Sequence, residues 1–134
     1  MTIGVFPGTF DLLHPGHLRA LAEAKEYCDR LIVLLQVDPS VREGKNRPVM
    51  LPSERYLQLM STKYVDEVIP YITEEELYDL LTVMHPNKRF LGEDWIGRRF
   101  TGDDIEGIEN VFVSRGHKYS SSRIRARLRS EGVQ

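Results

Sequence analysis

Two histidines stand three residues apart in the stretch "GTFDLLHPGH", residues 8–17, where an apolar run gives way to a helical pattern. His14 and His17 at a helix start suit three kinds of chemistry: half of a metal site, a helix cap, or a pair of hydrogen-bond donors to phosphate. Gly8 precedes the pair and Gly16 lies between its two members, and glycine permits a tight turn and close approach of the backbone to a ligand. Because exposed N–H groups at a helix start attract anions, the stretch favours phosphate binding.

A zinc site is the rival interpretation of the same pair. Two histidines at this spacing supply at most half of a zinc ligand set. The chain has two further histidines, His85 and His117, and a single cysteine, Cys28. We therefore predict no metal site within the protein. The remaining structural alternative is a capping histidine beside a surface histidine. The two nearby glycines and the strand-to-helix context argue against this alternative.

Composition narrows the class of protein. A chain of 134 residues suits one domain, here residues 1–134, and its net charge of −2 gives no reason to expect a nucleic-acid partner. The lone cysteine excludes an internal disulfide framework and fits a reducing compartment. No apolar run approaches the ~20 residues that cross a bilayer, and the first residues lack a signal-peptide pattern. These features predict a cytoplasmic protein without membrane contact.

Strands and helices alternate along the chain, and this order determines where the histidines lie. Apolar runs bounded by turn residues predict strands, and apolar positions at helical spacing predict helices. Ser53 and Thr73 are candidate helix caps. The predicted strands cover 3–6, 30–37, 67–71, 88–91 and 110–113, and the predicted helices cover about 17–27, 53–60, 73–81 and 120–128.

This alternation predicts an α/β fold with a Rossmann-like parallel five-stranded sheet and helices on both faces. We expect the strand order 3-2-1-4-5, whose switch point lies between strands 1 and 4. Ligands bind beyond the carboxyl ends of the strands at such a point. The loop with the two histidines and the loop "GEDW", residues 92–95, should therefore face each other, with "SRGHKYSSS", residues 114–122, closing the side.

Four segments carry a resemblance to a known superfamily. "GTFDLLHPGH" resembles the first signature of the HxGH nucleotidyltransferases, and "KYVDEVI", "GEDW" and "SRGHKYSSSRIR" resemble successive motifs of the cytidylyltransferase branch. The pattern is most similar to the glycerol-3-phosphate cytidylyltransferases, over nearly the whole chain. The resemblance implies an enzyme that joins CTP to a small phosphorylated alcohol, releasing pyrophosphate and a CDP-alcohol, with Mg²⁺ on the triphosphate.

The resemblance also implies roles for individual residues. The catalytic, phosphate-contacting set would be His14, His17, Lys45 and Arg115. The nucleotide would lie against Gly8, Thr9, Phe10, Gly16, Asp94, Trp95, Ser120 and Ser121. The acceptor side would hold Asp11, Arg42 and Arg55, with a supporting role open for Asp11 and Arg55 and a surface pair with Glu54 or Asp66 open for Arg55.

Three departures from the family pattern keep alternatives open. Pro7 before the glycine is more similar to the pantetheine-phosphate adenylyltransferases, so ATP is an alternative to CTP. The loop after the second strand carries Arg42, Lys45 and Arg47 where the family has lysines, and arginine presents its charge with a different geometry.

The third departure concerns the acceptor. Residues 74–76 are glutamates near the position where the family has an acceptor-binding lysine. They are either favourable charges at a helix start or a sign of a cationic acceptor such as phosphoethanolamine or phosphocholine. Two readings outside this enzyme class are a nucleotide-binding module without activity and a zinc-binding structural protein. The third strand, at a sheet edge, together with the resemblance, predicts a homodimer.

Overall fold

The computed structural model describes residues 1–40, 47–114 and 121–130. Its strands are β1 (Ile3–Gly8), β2 (Arg30–Gln36), β3 (Glu67–Tyr71), β4 (Lys88–Gly92) and β5 (Glu109–Val113). Its helices are α1 (Pro15–Glu26), α2 (Pro52–Met60), α3 (Glu74–Met84) and α4 (Ser121–Ser130), with a short 3₁₀ turn at Glu93–Trp95. None of these helices is both long enough and apolar enough to cross a membrane.

The five strands form one parallel sheet in the order β3-β2-β1-β4-β5. The register of β1 on β2 runs from Ile3 opposite Arg30 to Gly8 opposite Leu35, and β4 lies on the other side of β1. This confirms the predicted Rossmann-like order and its switch point. The loops that follow β1 and β4 therefore leave the same edge of the sheet from neighbouring strands.

Apolar side chains cover both faces of the sheet. On one face, Leu21 of α1 and Leu59 of α2 pack with Val33 and Phe90. On the other face, Leu77 and Leu81 of α3 pack with sheet residues. The central strands are buried on both sides, which explains why β2 is a continuous apolar run rather than an alternating one. Helices on both faces were predicted and are confirmed.

Two helix starts differ from the prediction for one physical reason. Helices α1 and α2 begin at Pro15 and Pro52. Proline suits the first helical position because its fixed φ is already helical and the N–H it lacks has no partner there in any helix. The predicted cap Ser53 is thus wrong: the chain enters α2 at Leu51, whose N–H donates to the Glu54 carboxylate at 2.8 Å. The predicted cap Thr73 is confirmed, since its Oγ1 accepts from the Glu76 N–H at 3.1 Å.

Candidate active site

Both histidine side chains accept backbone N–H groups at the start of α1. His14 is the N-cap of α1, and its Nδ1 accepts the Gly16 N–H at 3.0 Å. The His17 side chain returns the contact, since its Nδ1 accepts the His14 N–H at 3.3 Å. The rings stack with centroids 3.8 Å apart and an interplanar angle of 24°. The spacing of three residues is therefore that of a capping box, in which the side chain of the third helical residue, His17, accepts the backbone N–H of the N-cap residue, His14.

The cap determines which ring nitrogen holds the proton. A neutral imidazole has one donor nitrogen and one acceptor nitrogen. Because Nδ1 of His14 and of His17 each accept a backbone N–H, the proton of each neutral ring is on Nε2. Capping and ligand binding are therefore not alternatives here. One nitrogen of each ring orients the side chain, and the other is a hydrogen-bond donor.

The loop before the histidines is held in an unusual backbone conformation. Phe10 and Leu12 have φ values of 49° and 50°, in the left-handed region that side chains usually avoid. The Phe10 ring is 6 % exposed and lies edge-on to Phe6, with centroids 5.5 Å apart. It also contacts the His17 ring at 5.4 Å. Phe10, predicted to line a nucleotide, thus supports His17 from the core side.

Gly8 is required by this loop. A Cβ at Gly8 would come within 2.8 Å of the Phe10 ring, closer than real Cβ atoms approach a neighbour. The Thr9 Oγ1 hydroxyl lies 3.4 Å from Oε1 of Gln36, at the end of β2. The loop after β1 therefore packs on the ring of its own residue Phe10 and contacts Gln36 of the neighbouring strand β2.

Asp11 and Arg55 connect this loop to the chain that precedes α2. The Asp11 carboxylate accepts the N–H groups of Val49 and Met50 at 2.8 and 2.9 Å. Arg55 is 1 % exposed and donates to four carbonyl oxygens at 2.6 to 3.1 Å. Those carbonyls belong to Thr9, Gln36, Val37 and Met50.

These contacts correct one of the alternatives. Burial lowers the pKa of Arg55, while the charges of Asp11 and Asp38 act in the opposite direction. The surface pair of Arg55 with Glu54 or Asp66 is wrong, because the guanidinium is buried among carbonyls and Asp66 pairs with Lys25 at 2.6 Å. Of the roles left open for Arg55, the geometry favours support of the loop over contact with an acceptor.

The second predicted loop lies at the end of β4. Asp94 is exposed and Trp95 is half-buried, both in the 3₁₀ turn that follows Gly92. The Trp95 ring meets the Phe100 ring edge-on at 6.5 Å and lies 5.2 Å from the Arg98 guanidinium. Since β4 neighbours β1, the topology brings this turn and the histidine loop to one end of the sheet.

The three glutamates at the start of α3 lie in two different environments. Glu74 is turned towards the β4–β5 connection, where its Oε1 accepts the Thr101 hydroxyl at 2.9 Å. Glu75 and Glu76 are exposed. All three also lie in the first turn, where negative charge stabilises a helix.

Several predicted residues lie outside the residues that the structure describes. These are Arg42, Lys45, Arg115 and Ser120; Ser121 is placed as the first residue of α4, without its side chain. Their roles stay predictions. Across residues 1–40, 47–114 and 121–130, no three His, Cys, Asp or Glu side chains gather in a group that could hold a metal ion.

Two polar residues of the site region were missed in the sequence. Gln36 lies opposite Thr9 at the end of an otherwise apolar strand, and Arg89 is a buried cation within β4. In both cases the signal is a polar side chain inside an apolar run, "RLIVLLQ" and "KRFLG". Such a residue is expected to have a buried hydrogen-bond partner.

Known proteins with similar sequences share this domain. The chain is 36 % identical over 132 residues to the bifunctional protein HldE of Hyphomonas neptunium, covering 95 % of this chain and 27 % of the relative. It is 40 % identical over 111 residues to the bifunctional protein HldE of Acidiphilium cryptum, covering 81 % and 22 %. The chain thus spans about a quarter of the length of the curated relatives it matches.

Solved structures share the fold. The lipopolysaccharide core biosynthesis protein of Thermoplasma volcanium superposes with a TM-score of 0.72 at 24 % identity, over 90 % of this chain and 99 % of that one. A pantothenate synthetase of Thermus thermophilus superposes with a TM-score of 0.58 at 18 % identity, over 85 % and 56 %. The model of the family described as cytidylyltransferase-like matches residues 5–127. Because this match spans both loops of the site and nearly the whole sheet, the chain belongs to the cytidylyltransferase-like family.

Proposed function

We propose that this protein transfers a nucleoside monophosphate from a nucleoside triphosphate to the phosphate of a small phosphomonoester. One observation carries the proposal: the stacked pair His14 and His17 at the start of α1, with each Nδ1 bonded to a backbone N–H. This arrangement places two ring donors beside a helix N-terminus, where the backbone also favours anions. It suits a chain of phosphates better than a single small anion.

The reaction needs charge stabilisation rather than a general base. The acceptor phosphate is an anion at neutral pH, so its oxygen attacks the α-phosphorus directly, in line with the leaving group. The new P–O bond forms as the bond to pyrophosphate breaks, and pyrophosphate leaves with the electron pair. Donors on His14 and His17 would stabilise the negative charge that spreads over the phosphoryl oxygens. Lys45 and Arg115 are proposed to add positive charge to the same site.

Rigidity of the histidine loop supports this mechanism. Preorganised donors stabilise a transition state because they need no rearrangement as the charge develops. Here the Nδ1 contacts orient both rings, Phe10 contacts His17 from the core, and the buried Asp11 and Arg55 hold the loop. Mg²⁺ is proposed to bind with the triphosphate and to neutralise charge on its β- and γ-phosphates; the carboxylate of Asp11 is already used by two backbone N–H groups.

CTP with glycerol 3-phosphate or a similar phosphorylated alcohol is the first substrate pair that we propose. The family description and the motifs "GTFDLLHPGH" and "GEDW" support it. ATP with a sugar phosphate is the second. Pro7 within β1 favours an adenylyl donor, and a structural neighbour is named for the biosynthesis of the lipopolysaccharide core, which is a carbohydrate.

Pyrophosphate release tests both pairs. The full chain would be assayed with ATP, CTP, GTP and UTP, each against glycerol 3-phosphate, phosphoethanolamine, phosphocholine and a sugar 1-phosphate. We expect release that depends on one nucleotide and one acceptor class, with no release when the acceptor is omitted. Binding of a nucleotide without turnover of any acceptor would instead support the module without activity. Absence of both binding and turnover would contradict the proposal.

A further inference from the structure

Arg89 is a buried cation that the proposed reaction does not use. It lies in β4, is 5 % exposed, and faces the side of the sheet that α3 covers. Its Nη1 donates to the Thr101 carbonyl oxygen at 2.6 Å, and its guanidinium carbon lies 4.8 Å from the centroid of the Phe100 ring. Burial lowers the pKa of Arg89 to about 10, against the opposing effects of Tyr71, Glu74 and Asp103.

The surroundings of Arg89 do not satisfy it fully. Its Nε and the Oε2 of Glu74 are both buried without a hydrogen-bond partner among the described residues. A buried charge with an unsatisfied donor costs free energy, and an apolar side chain of similar volume is often at least as stable in such a place. A contribution to the free energy of unfolding therefore does not explain why an arginine occupies this position.

Arg89 and Glu74 instead hold one loop from two elements. Arg89, on β4, binds the Thr101 carbonyl and stacks on Phe100, while Glu74, on α3, accepts the Thr101 hydroxyl at 2.9 Å. Gly102 follows with φ +85°, and a Cβ there would come within 2.6 Å of Leu81 of α3. The segment is thus pinned to the face of the sheet opposite α1.

We call the contacts of Arg89 and Glu74 with Phe100 and Thr101 the clamp. Aromatic contacts connect this clamp to the candidate site. The Phe100 ring under the guanidinium contacts the Trp95 ring edge-on at 6.5 Å and the Phe112 ring of β5 at 6.3 Å. Trp95 belongs to the turn that leaves β4 beside the histidine loop. Arg89, Phe100 and Trp95 therefore form a continuous chain of contacts from the sheet interior to that turn.

We infer that Arg89 is a positioning residue: by clamping Phe100 and Thr101 it fixes the loop of residues 93–103 and so holds Trp95 against the nucleotide. The inference rests on the proposed function for the identity of the ligand, but the clamp itself does not. Loss of the clamp would leave the chemistry at the histidines intact and weaken nucleotide binding.

Fluorescence of Trp95 tests the clamp without any assay of activity. Trp95 is the single tryptophan of the chain, so emission reports this turn alone. In Arg89→Met we expect emission shifted to longer wavelength and an acrylamide quenching constant raised about two-fold, since local contacts set local opening. Arg89→Lys keeps the charge but loses the planar stacking, and should fall between Arg89→Met and the wild type.

Lys88→Met is the matched control. Lys88 is the neighbouring residue of β4, points to the other face, and lies 5.3 Å from the Tyr27 ring, so this variant also removes one positive charge over an aromatic ring. We expect Trp95 emission and quenching in this variant to equal those of the wild type. In Arg89→Met the nucleotide KM should rise about ten-fold, while kcat should stay within about two-fold of the wild-type value. The reason is that a contact outside the reacting atoms contributes equally to binding in the ground state and in the transition state. In Lys88→Met both constants should be unchanged.

The outcomes separate the two proposals. Unchanged Trp95 emission in Arg89→Met, or a shift of equal size in Lys88→Met, would overturn the clamp. Shifted emission with unchanged nucleotide KM, or a loss confined to kcat, would overturn its role in nucleotide binding. A wild-type chain that binds no nucleotide would overturn the proposed function, while the emission data still decide the clamp. If Arg89→Met does not fold, as judged by circular dichroism, Arg89→Lys carries the same comparisons.

Discussion

At the scale of single residues, we propose that each site histidine uses its two ring nitrogens for two different roles. A histidine that caps a helix is usually regarded as structural, and one that binds phosphate as functional. We propose that His14 and His17 combine the two, because the backbone N–H groups at the helix start bond to Nδ1 and so place the proton of the neutral ring on Nε2. The cap thereby prepares each ring as a donor. A change of side chain at either position is expected to affect catalysis more than folding.

Replacing His17 by alanine tests this at the residue scale. We expect kcat to fall by about 10²–10³, as when one preorganised donor to a developing charge is lost. Nucleotide binding should change less, because the contact is strongest in the transition state. Steady-state kinetics beside direct nucleotide titration would measure the split.

The control for His17→Ala is His85→Asn. His85 follows α3 in the left-handed region, φ 43°, where asparagine is also tolerated, and its Nε2 contacts the Glu106 carbonyl at 3.0 Å, outside the candidate site. We expect near-wild-type kinetics from it. Near-wild-type turnover in His17→Ala as well would mean that His17 is structural only.

At the scale of elements, the site depends on how the loop after β1 is fastened to its neighbours. Arg55 extends from α2 to the carbonyl oxygens of Thr9 after β1 and of Gln36 and Val37 at the end of β2. Asp11 reaches back to the N–H groups that precede α2. One helix thus binds the main-chain carbonyls at the ends of two neighbouring strands, and the loop adds its own side-chain contacts through Asp11 and Phe10.

Arg55→Met is expected to lower the free energy of unfolding by about 3–5 kcal/mol, because it leaves several buried carbonyls without donors and Asp11 without its nearby cation. Urea unfolding followed by circular dichroism measures this. Arg47→Met is the comparison: the Arg47 side chain is 84 % exposed in a surface pair with Asp38, and we expect a change below about 1 kcal/mol. If Arg55→Met keeps the wild-type stability and raises only the KM for the acceptor, the supporting role is wrong and Arg55 contacts the acceptor.

At the scale of the whole molecule, one edge of the sheet is bordered by exposed apolar side chains. Strand β3 is an edge strand, and beside it on α2 Tyr56, Leu57 and Met60 are 46 %, 67 % and 37 % exposed. Ile72, just after β3, is 62 % exposed. Exposed apolar side chains on elements next to an unpaired sheet edge fit a surface that another chain covers. This supports the homodimer that we propose from the edge strand.

Leu57→Glu is expected to convert that dimer to a monomer, since a charge would have to be buried at the interface. Multi-angle light scattering at several protein concentrations measures the mass. Val83→Glu is the matched variant, because Val83 is 83 % exposed on α3, which packs on the opposite face from α2. We expect it to leave the mass unchanged. A wild-type chain that is monomeric at all concentrations would contradict the dimer.

The amino-acid sequence by itself determined the architecture and predicted the place of the candidate site. Continuous apolar runs alternating with helical patterns were sufficient for the parallel sheet and its order, because crossover handedness and burial leave few alternatives. The four motif segments, of which the first holds His14 and His17, predicted the family, and the match over residues 5–127 confirms it. The starts of α1 and α2 differ from the prediction, because the helices begin at Pro15 and Pro52.

Only the tertiary structure decided what each side chain of the site contacts. Phe10 is buried against Phe6, Arg55 bonds carbonyls up to 46 positions away in the chain, and the Arg89 guanidinium lies over the Phe100 ring. Sequence patterns report periodicity within one element. The Arg55 contacts instead join three elements, α2, the loop after β1 and the end of β2, which meet because β1 pairs with β2. The partners of Phe10 and Arg89 lie closer along the chain, but they are not in regular periodic positions of one element. Burial makes an unpaired polar group costly, so the packed fold, and not the local pattern, selects the partners of each one.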